Sequence, residues 1–153
     1  MKLQQKIQQK NQQKNPNQQL LIINYQLLII NMIPKIIHYC WFTKGDGKPL
    51  PPLVETCLAS WKKYCPDWEI KLWNEENFDV SINDFTREAY EAGKPGFVAD
   101  YVRAFLMHTY GGVYVDADLE LLQNIDSLRE NKAFIGVENI IGNPVKGYFG
   151  TAI

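Results

Sequence analysis

Two carboxylates close an apolar, β-branched run in the stretch Gly111-Gly112-Val113-Tyr114-Val115-Asp116-Ala117-Asp118. The run predicts a buried strand over residues 113–115, entered from the glycine pair. Side chains two residues apart in an extended chain point to the same side, so Asp116 and Asp118 are expected to converge at the end of this strand. Two hard oxygen ligands suit Mg²⁺ or Mn²⁺, and open α/β sheets bind ligands where their strands end. The stretch therefore indicates chemistry on a diphosphate-bearing substrate.

Strand-like and helix-like runs alternate on both sides of this stretch. Further strands are predicted over residues 35–42, 68–73 and 132–137 from apolar runs or apolar–polar alternation. Helices are predicted over residues 53–64, 83–92 and 97–110, and the last ends at Gly111, where a left-handed cap is expected. This alternation implies an α/β fold with a largely parallel sheet flanked by helices.

A charged pair interrupts the otherwise apolar helix that precedes the two aspartates. Asp100 and Arg103 are three residues apart and share a helix face. We expect this helix to be mostly buried, and a buried helix rarely carries charges that have no partner. A carboxylate can accept hydrogen bonds from sugar hydroxyls, and a guanidinium can bind hydroxyl or phosphate oxygens. A solvated salt bridge is the alternative for this pair.

Other polar and aromatic groups have structural explanations. His38 and His108 lie in apolar surroundings and are expected to be hydrogen-bonded structural histidines. Glu120 would lie on the side of Asp118 if the strand continued, and is otherwise an exposed acid. The aromatic residues expected in the core are Trp61, Trp68 and Trp73.

The charge balance argues against a general nucleic-acid role. Residues 1–31 carry four lysines and no acid, so the remaining 12 basic and 17 acidic residues give that part a net charge of −5. Such a body repels the phosphates of nucleic acid but is compatible with recruiting a divalent cation. The three cysteines form no C-x-x-C pair, and an odd number gives no complete disulfide framework, which indicates a reducing compartment. We therefore expect a cytoplasmic protein, with association at the inner face of the plasma membrane left open.

The first 31 residues differ in composition from the rest. Residues 1–19 are a low-complexity run of Gln, Asn and Lys, and residues 20–30 form an apolar run shorter than the about 20 residues of a membrane span. We expect Met32 to be the natural start, with residues 1–31 outside the fold and residues 32–153 forming the domain. A membrane anchor or secretory signal, and a functional tail, are the alternatives.

The residues alone leave three enzyme classes open. Group transfer with a divalent cation fits the paired aspartates best. Phosphoryl or nucleotidyl transfer would use the same pair, but no glycine-rich phosphate loop with lysine is present. Glycoside hydrolysis needs two separated carboxylates, which the spacing of Asp116 and Asp118 does not indicate.

Five ordered segments carry a resemblance to a known family. They are residues 33–42, 60–63 with 66–70, 73–75, 99–103 and 110–120. The chain resembles the DXD-containing glycosyltransferases of family 32, which include bacterial capsular-polysaccharide sugar transferases and the fungal initiating mannosyltransferase. It is more distantly similar to the catalytic domains of clostridial glucosylating toxins.

The resemblance implies a GT-A type, Rossmann-like nucleotide-sugar-binding fold and a retaining hexosyltransferase. The donor would be a UDP- or GDP-sugar, the acceptor a glycan of capsule or another surface polysaccharide, and the cofactor Mn²⁺ or Mg²⁺. Asp118 would contact the metal directly, and Asp116 would contact the sugar or ribose and metal-bound water. Asp100 and Arg103 match the pair that holds the donor sugar, and Trp41 matches an aromatic residue that stacks on the base.

By the family's pattern, Asp116, Asp118 and Arg103 are the catalytic candidates. Related transferases continue well beyond residue 153, so we expect this chain to be the donor-binding part of a longer enzyme, truncated at its C-terminus. An inactive nucleotide-sugar-binding fragment that lacks the acceptor half is the alternative.

Overall fold

The structure, a computed structural model, describes residues 32–46, 49–139 and 147–150. Its strands are β1 (Ile36–Cys40), β2 (Glu69–Trp73), β3 (Val113–Tyr114), β4 (Gly136–Asn139) and β5 (Gly147–Gly150). Its helices are α1 (Pro52–Tyr64), α2 (Asp84–Glu91) and α3 (Pro95–Tyr110), followed by a 3₁₀ helix (Asp126–Glu130). All of them belong to the unit Ile33–Ile153. The predicted tail over residues 1–31 lies outside the described residues, so its boundary stays a prediction.

The three-stranded sheet has the order β2-β1-β3, with both pairings parallel. Cys40 lies opposite Trp73 in β2, and His38 lies opposite Tyr114 in β3. The amide of Val115 donates to the carbonyl of His38 at 2.9 Å, which extends the short β1–β3 pairing by one residue. The predicted α/β fold with a parallel sheet is therefore confirmed. Strands β4 and β5 pair antiparallel in a separate sheet.

Helices cover the two faces of the parallel sheet. Alternate side chains of a strand point to opposite faces. Ile37 and Tyr39 pack in one core with Trp61 of α1, whereas Cys40 packs in a second core with Val102 of α3. The stripe of α3 that faces the sheet consists of Val98, Val102 and Leu106, all fully buried and spaced four residues apart.

The side chain of His38 joins β1 to β2 and to the end of α3. Its Nε2 lies 3.1 Å from the carbonyl oxygen of Gly111, and its Nδ1 accepts a hydrogen bond from Trp73 Nε1 at 3.0 Å. Because Nδ1 is the acceptor, Nε2 must carry the proton and donate to Gly111. The ring is fully buried, so the prediction of a structural histidine is confirmed for His38.

Gly112 allows the start of β3 to approach β1 closely. Its φ is +84°, and a Cβ atom there would lie 2.7 Å from the backbone oxygen of Ile36 and 3.0 Å from His38 Nε2. Gly111, the C-cap of α3, also has a positive φ of 65°. The glycine pair therefore ends α3 where predicted and leaves room for the neighbouring strand. The conformation of the cap differs from the left-handed one that was expected, because Gly111 has a ψ of −149°.

Several local predictions were wrong. Helix α3 is not mostly buried, since Phe97 and Tyr110 are about half exposed and His108 is also exposed. Its fully buried residues form one stripe, whereas other apolar residues of the helix, such as Phe105, are only partly buried. The strand predicted over residues 132–137 begins later, at Gly136.

Among the described residues, no helix is long and apolar enough to cross a membrane.

Candidate functional site

A cavity of about 550 Å³ opens at the carboxyl ends of β1 and β3. The chain leaves β1 toward β2 on one side, and β3 lies on its other side, so these two strand ends flank the point where the strand order reverses. Open α/β sheets bind ligands at this point. The cavity is lined by Cys40 at the end of β1 and by Trp41 and Phe42 after it, and by Tyr114 of β3 and Asp116, Ala117 and Asp118 after it. The start of α1 and the first half of α3, as far as Arg103, complete the wall.

Asp116 and Asp118 reach the same cavity by way of a turn. The amide of Leu119 donates to the carbonyl of Asp116 at 3.0 Å, so the chain bends directly after the strand. Ala117, between the two acids, is buried in the core that contains Trp61 of α1. The predicted convergence on one site is therefore present, but the assumed extended geometry was wrong. For the same reason Glu120 is exposed and does not line the cavity.

Arg103 lies between two carboxylates. Its Nη2 is 2.9 Å from Asp100 Oδ1 and 3.5 Å from Asp116 Oδ1. Its guanidinium carbon lies 5.0 Å from the centre of the Tyr114 ring, and the side chain is only 15% exposed. Arg103 lines the cavity, whereas Asp100, 57% exposed, is at its periphery and does not line it. The structure thus connects all three charged residues and separates Asp100 from the cavity wall.

Two further polar groups of the wall are neutral at physiological pH. Burial raises the pKa of the Cys40 thiol to about 12. Burial likewise raises the pKa of Tyr114 above its ordinary value, so its hydroxyl is protonated. A thiol in this state is a poor nucleophile. The other side chains of the lining that can carry chemistry are the carboxyl groups of Asp116 and Asp118 and the guanidinium group of Arg103.

Trp41 forms part of the cavity wall, and its stacking on a base stays a prediction. The carboxylate of Glu75, which lies outside the cavity lining, holds the loop that follows Trp41. The amide of Trp41 donates to the carbonyl of Trp73 at 2.9 Å. Glu75 accepts hydrogen bonds from Gly45 N at 2.6 Å, from Thr43 N at 3.3 Å and from Thr43 Oγ1 at 3.3 Å. Burial alone would raise the pKa of Glu75, but the backbone hydrogen bonds outweigh it and lower the pKa.

Sequence reasoning missed this role of Glu75. The residue was noted only as a member of a matching segment, and its partners lie about 30 positions earlier in the chain.

The carboxylates fit a divalent cation that binds together with a substrate. Asp116 and Asp118 are hard oxygen donors on one solvent-accessible cavity. Within the ranges that the structure describes, no group of three or more His, Cys, Asp or Glu residues could hold a metal ion. Mg²⁺-type ions are commonly held by one or two carboxylates, with water and substrate phosphates completing the shell. The residues present therefore fit such an ion and no independent, fully protein-bound metal centre.

Fold and site together define an α/β protein with a ligand cavity at the reversal of its strand order. The family described as capsular polysaccharide synthesis protein matches residues 1–145, and the chain belongs to this family. This finding confirms the resemblance to glycosyltransferases that the sequence segments carry.

Curated relatives are mannosyltransferases of fungi. Inositol phosphoceramide mannosyltransferase 3 of Schizosaccharomyces pombe is 28% identical over 134 residues, which cover 76% of this chain and 34% of the relative. Initiation-specific alpha-1,6-mannosyltransferase of Saccharomyces cerevisiae is 32% identical over 122 residues, 71% of this chain and 24% of the relative. The chain thus spans about a quarter to a third of the length of these relatives. No solved structure matches the chain.

Proposed function

We propose that this chain binds a nucleotide-sugar donor and serves as the donor-binding part of a metal-dependent, retaining glycosyltransferase. The observation that carries the proposal is the cavity at the ends of β1 and β3, into which Asp116, Asp118 and Arg103 all reach. Kinship with mannosyltransferases supports the reaction class. It also favours a mannosyl donor over the other hexoses, while UDP and GDP both stay candidates for the nucleotide.

Different cavity residues would contact different parts of the donor. Trp41 offers an aromatic surface at the wall for the base. Asp118 and Asp116 would hold Mn²⁺ or Mg²⁺, which when bound stabilises negative charge on a departing diphosphate. Arg103, ion-paired with Asp116, fixes the direction of that carboxylate and keeps a cation beside it. Asp100, at the periphery, can accept hydrogen bonds from sugar hydroxyls.

Asp116 and Asp118 would also stabilise the positive charge that develops on the anomeric carbon of the donor sugar. Loss of the diphosphate leaves an anomeric carbon with oxocarbenium character, and carboxylates nearby stabilise it. Cys40 and Tyr114 are protonated and buried, so neither is assigned as a nucleophile.

A binding role without turnover is the second candidate. It requires only the donor cavity, whose lining lies in the described part of the chain. For the transferase, the acceptor is proposed to be a glycan, in keeping with the family description.

Calorimetric titration of GDP and UDP, each with and without Mn²⁺, tests the proposal. The wild-type chain should bind one nucleotide in a Mn²⁺-dependent manner, and Asp118→Asn should weaken that binding at least about tenfold, or about 1.4 kcal/mol. Glu120→Gln is the matched control, because this acid is two residues away, exposed and outside the cavity. Nucleotide binding that is indifferent to both Mn²⁺ and Asp118→Asn would contradict the assignment.

Turnover is a separate measurement. Release of nucleoside diphosphate from GDP-mannose or UDP-hexose, with product analysis in the presence and absence of a glycan acceptor, separates a transferase from a binding protein.

A further inference from the structure

Helix α1 holds the segment that follows the two aspartates. Trp61 Nε1 donates to the carbonyl of Leu119 at 2.8 Å. The amide of Leu121 donates to Ser60 Oγ at 2.9 Å. Three residues further along the chain, Asn124 Nδ2 donates to the carbonyl of Tyr64, the last residue of α1, at 2.7 Å. The segment over residues 119–124 is therefore attached to α1 along its whole length.

The two groups that α1 supplies nearest to Asp118 are themselves fixed. Trp61 is fully buried, and its ring meets the ring of Tyr39 edge to face at 5.4 Å. Ser60 is 7% exposed, and its hydroxyl donates to the carbonyl of Cys57 at 2.6 Å while it accepts from Leu121. Because the hydroxyl proton is committed to Cys57, its lone pair faces the Leu121 amide. Neither side chain can change direction without losing a hydrogen-bond partner.

The backbone of Leu119 connects Trp61 to the turn that contains the two aspartates. Its amide closes the turn by donating to the carbonyl of Asp116, and its carbonyl accepts from Trp61. Ala117 is packed into the core. Among the residues that the structure describes, no hydrogen bond or ion pair holds the carboxylate of Asp118 itself, so its direction depends on the backbone of the turn.

We propose that Trp61 and Ser60 are positioning residues for Asp118: through Leu119 and Leu121 they fix the turn that presents its carboxylate to the cavity. The proposal rests on the proposed function of the cavity and extends it to residues that touch neither donor nor metal. Partners that orient a metal-ligating group typically change metal affinity by about 10- to 100-fold when they are removed.

Two variants remove the two bonds separately. Trp61→Phe deletes the indole N–H and keeps an aromatic ring in the core, and Ser60→Ala deletes the acceptor of the Leu121 amide with a minimal change in volume. Trp68→Phe is the matched control. Its indole is also buried in the same core and donates at 2.7 Å to Asp126 Oδ1, away from the cavity lining.

The affinity for GDP or UDP in the presence of Mn²⁺ is measured by calorimetry, and the free energy of unfolding by urea denaturation. Trp61→Phe and Ser60→Ala should each weaken nucleotide binding about tenfold or more. Trp68→Phe should lower stability and leave the affinity within about twofold of wild type. Hydrogen exchange of the Leu121 amide should accelerate in Ser60→Ala, which confirms that the intended bond was removed.

Unchanged affinity in folded Ser60→Ala, with fast exchange at Leu121, overturns the inference even if Trp61→Phe fails to fold. An equal loss of affinity in Trp68→Phe also overturns it, because the effect would then follow general stability. Wild-type protein that binds neither nucleotide with Mn²⁺ overturns the proposed function and this inference together. Binding by wild type with unaffected variants overturns the inference alone.

Discussion

Substitution of Gly112 by alanine should destabilise the chain through two separate effects. The backbone has a φ of +84° at this position, and the new Cβ would lie 2.7 Å from the carbonyl oxygen of Ile36. The first effect is conformational, because an L-residue in this region costs about 1–2 kcal/mol. The second is steric, since a contact this short requires β1 and the start of β3 to move apart, and overpacking of this kind costs about 1–3 kcal/mol.

Together the two effects amount to about 2–5 kcal/mol for Gly112→Ala, a large part of the about 5–15 kcal/mol that stabilises a typical domain. A matched control isolates the steric part. Gly93 has a similar φ of +67°, but a Cβ there would meet only the flexible end of Lys44 at 3.9 Å. Gly93→Ala should therefore cost only the conformational about 1–2 kcal/mol.

Urea denaturation of both variants and wild type, followed by tryptophan fluorescence, is the assay. The midpoint of Gly112→Ala should lie clearly below that of Gly93→Ala at an unchanged slope. Surface substitutions typically change the free energy of unfolding by less than about 0.5 kcal/mol. If the free energies of unfolding of the two variants differ by less than this amount, the close approach of β3 to β1 is refuted.

Two further perturbations probe buried and loop-forming groups. Burial lowers the pKa of His38 below its ordinary value, so His38 binds a proton more readily in the unfolded chain than in the folded one. The free energy of unfolding should therefore be highest above about pH 6.5 and fall as the pH drops below that value. Urea denaturation from about pH 8 to about pH 5 should show this slope, and His38→Gln should flatten it; an equal slope in both would contradict the assignment. Glu75→Gln should weaken Mn²⁺-dependent nucleotide binding roughly fivefold, because charge-assisted hydrogen bonds to the loop after Trp41 are lost. Calorimetry checks this, with the exposed neighbour in Glu76→Gln as control; equal affinities in the two variants would rule out the role of Glu75.

Patterns of short range predicted most of the fold. The alternation around Trp73 and the helical spacing around Trp61 identify β2 and α1, whose bounds lie within one residue of the prediction. The glycine pair after Tyr110 marked the end of α3 correctly. In each case the evidence is periodicity or backbone freedom, which a sequence displays directly.

Predictions failed where exposure or long-range contacts decide. The apolar composition of α3 predicted a buried helix, but only the stripe through Val102 faces the sheet. His108 was therefore expected inside and lies exposed. The strand predicted from residue 132 begins at Gly136, after a 3₁₀ helix that no periodicity indicated.

In the site, too, residues that are neighbours in sequence were predicted, whereas residues with distant partners were missed. Asp116 and Asp118 were found because they are neighbours in sequence, although a turn and not an extended strand brings them together. The roles of Glu75 and Trp61 depend on partners dozens of residues away, and no spacing rule connects them. The roles assigned to Asp100, Arg103 and Trp41 stay predictions for experiment.

The attachment of residues 119–124 to α1 has a consequence for the order of folding. Its three hydrogen bonds join groups that are 58 to 61 positions apart in the chain. Closing loops of this length is slow relative to local pairing, because entropy is lost before the contacts form. During synthesis, β1, α1 and β2 are complete once residue 73 has emerged. The cavity lining requires residues up to Asp118, and the attachment of the following segment to α1 requires residues up to Asn124. Partly folded chains should therefore contain the first βαβ unit and still lack any capacity to retain a nucleotide.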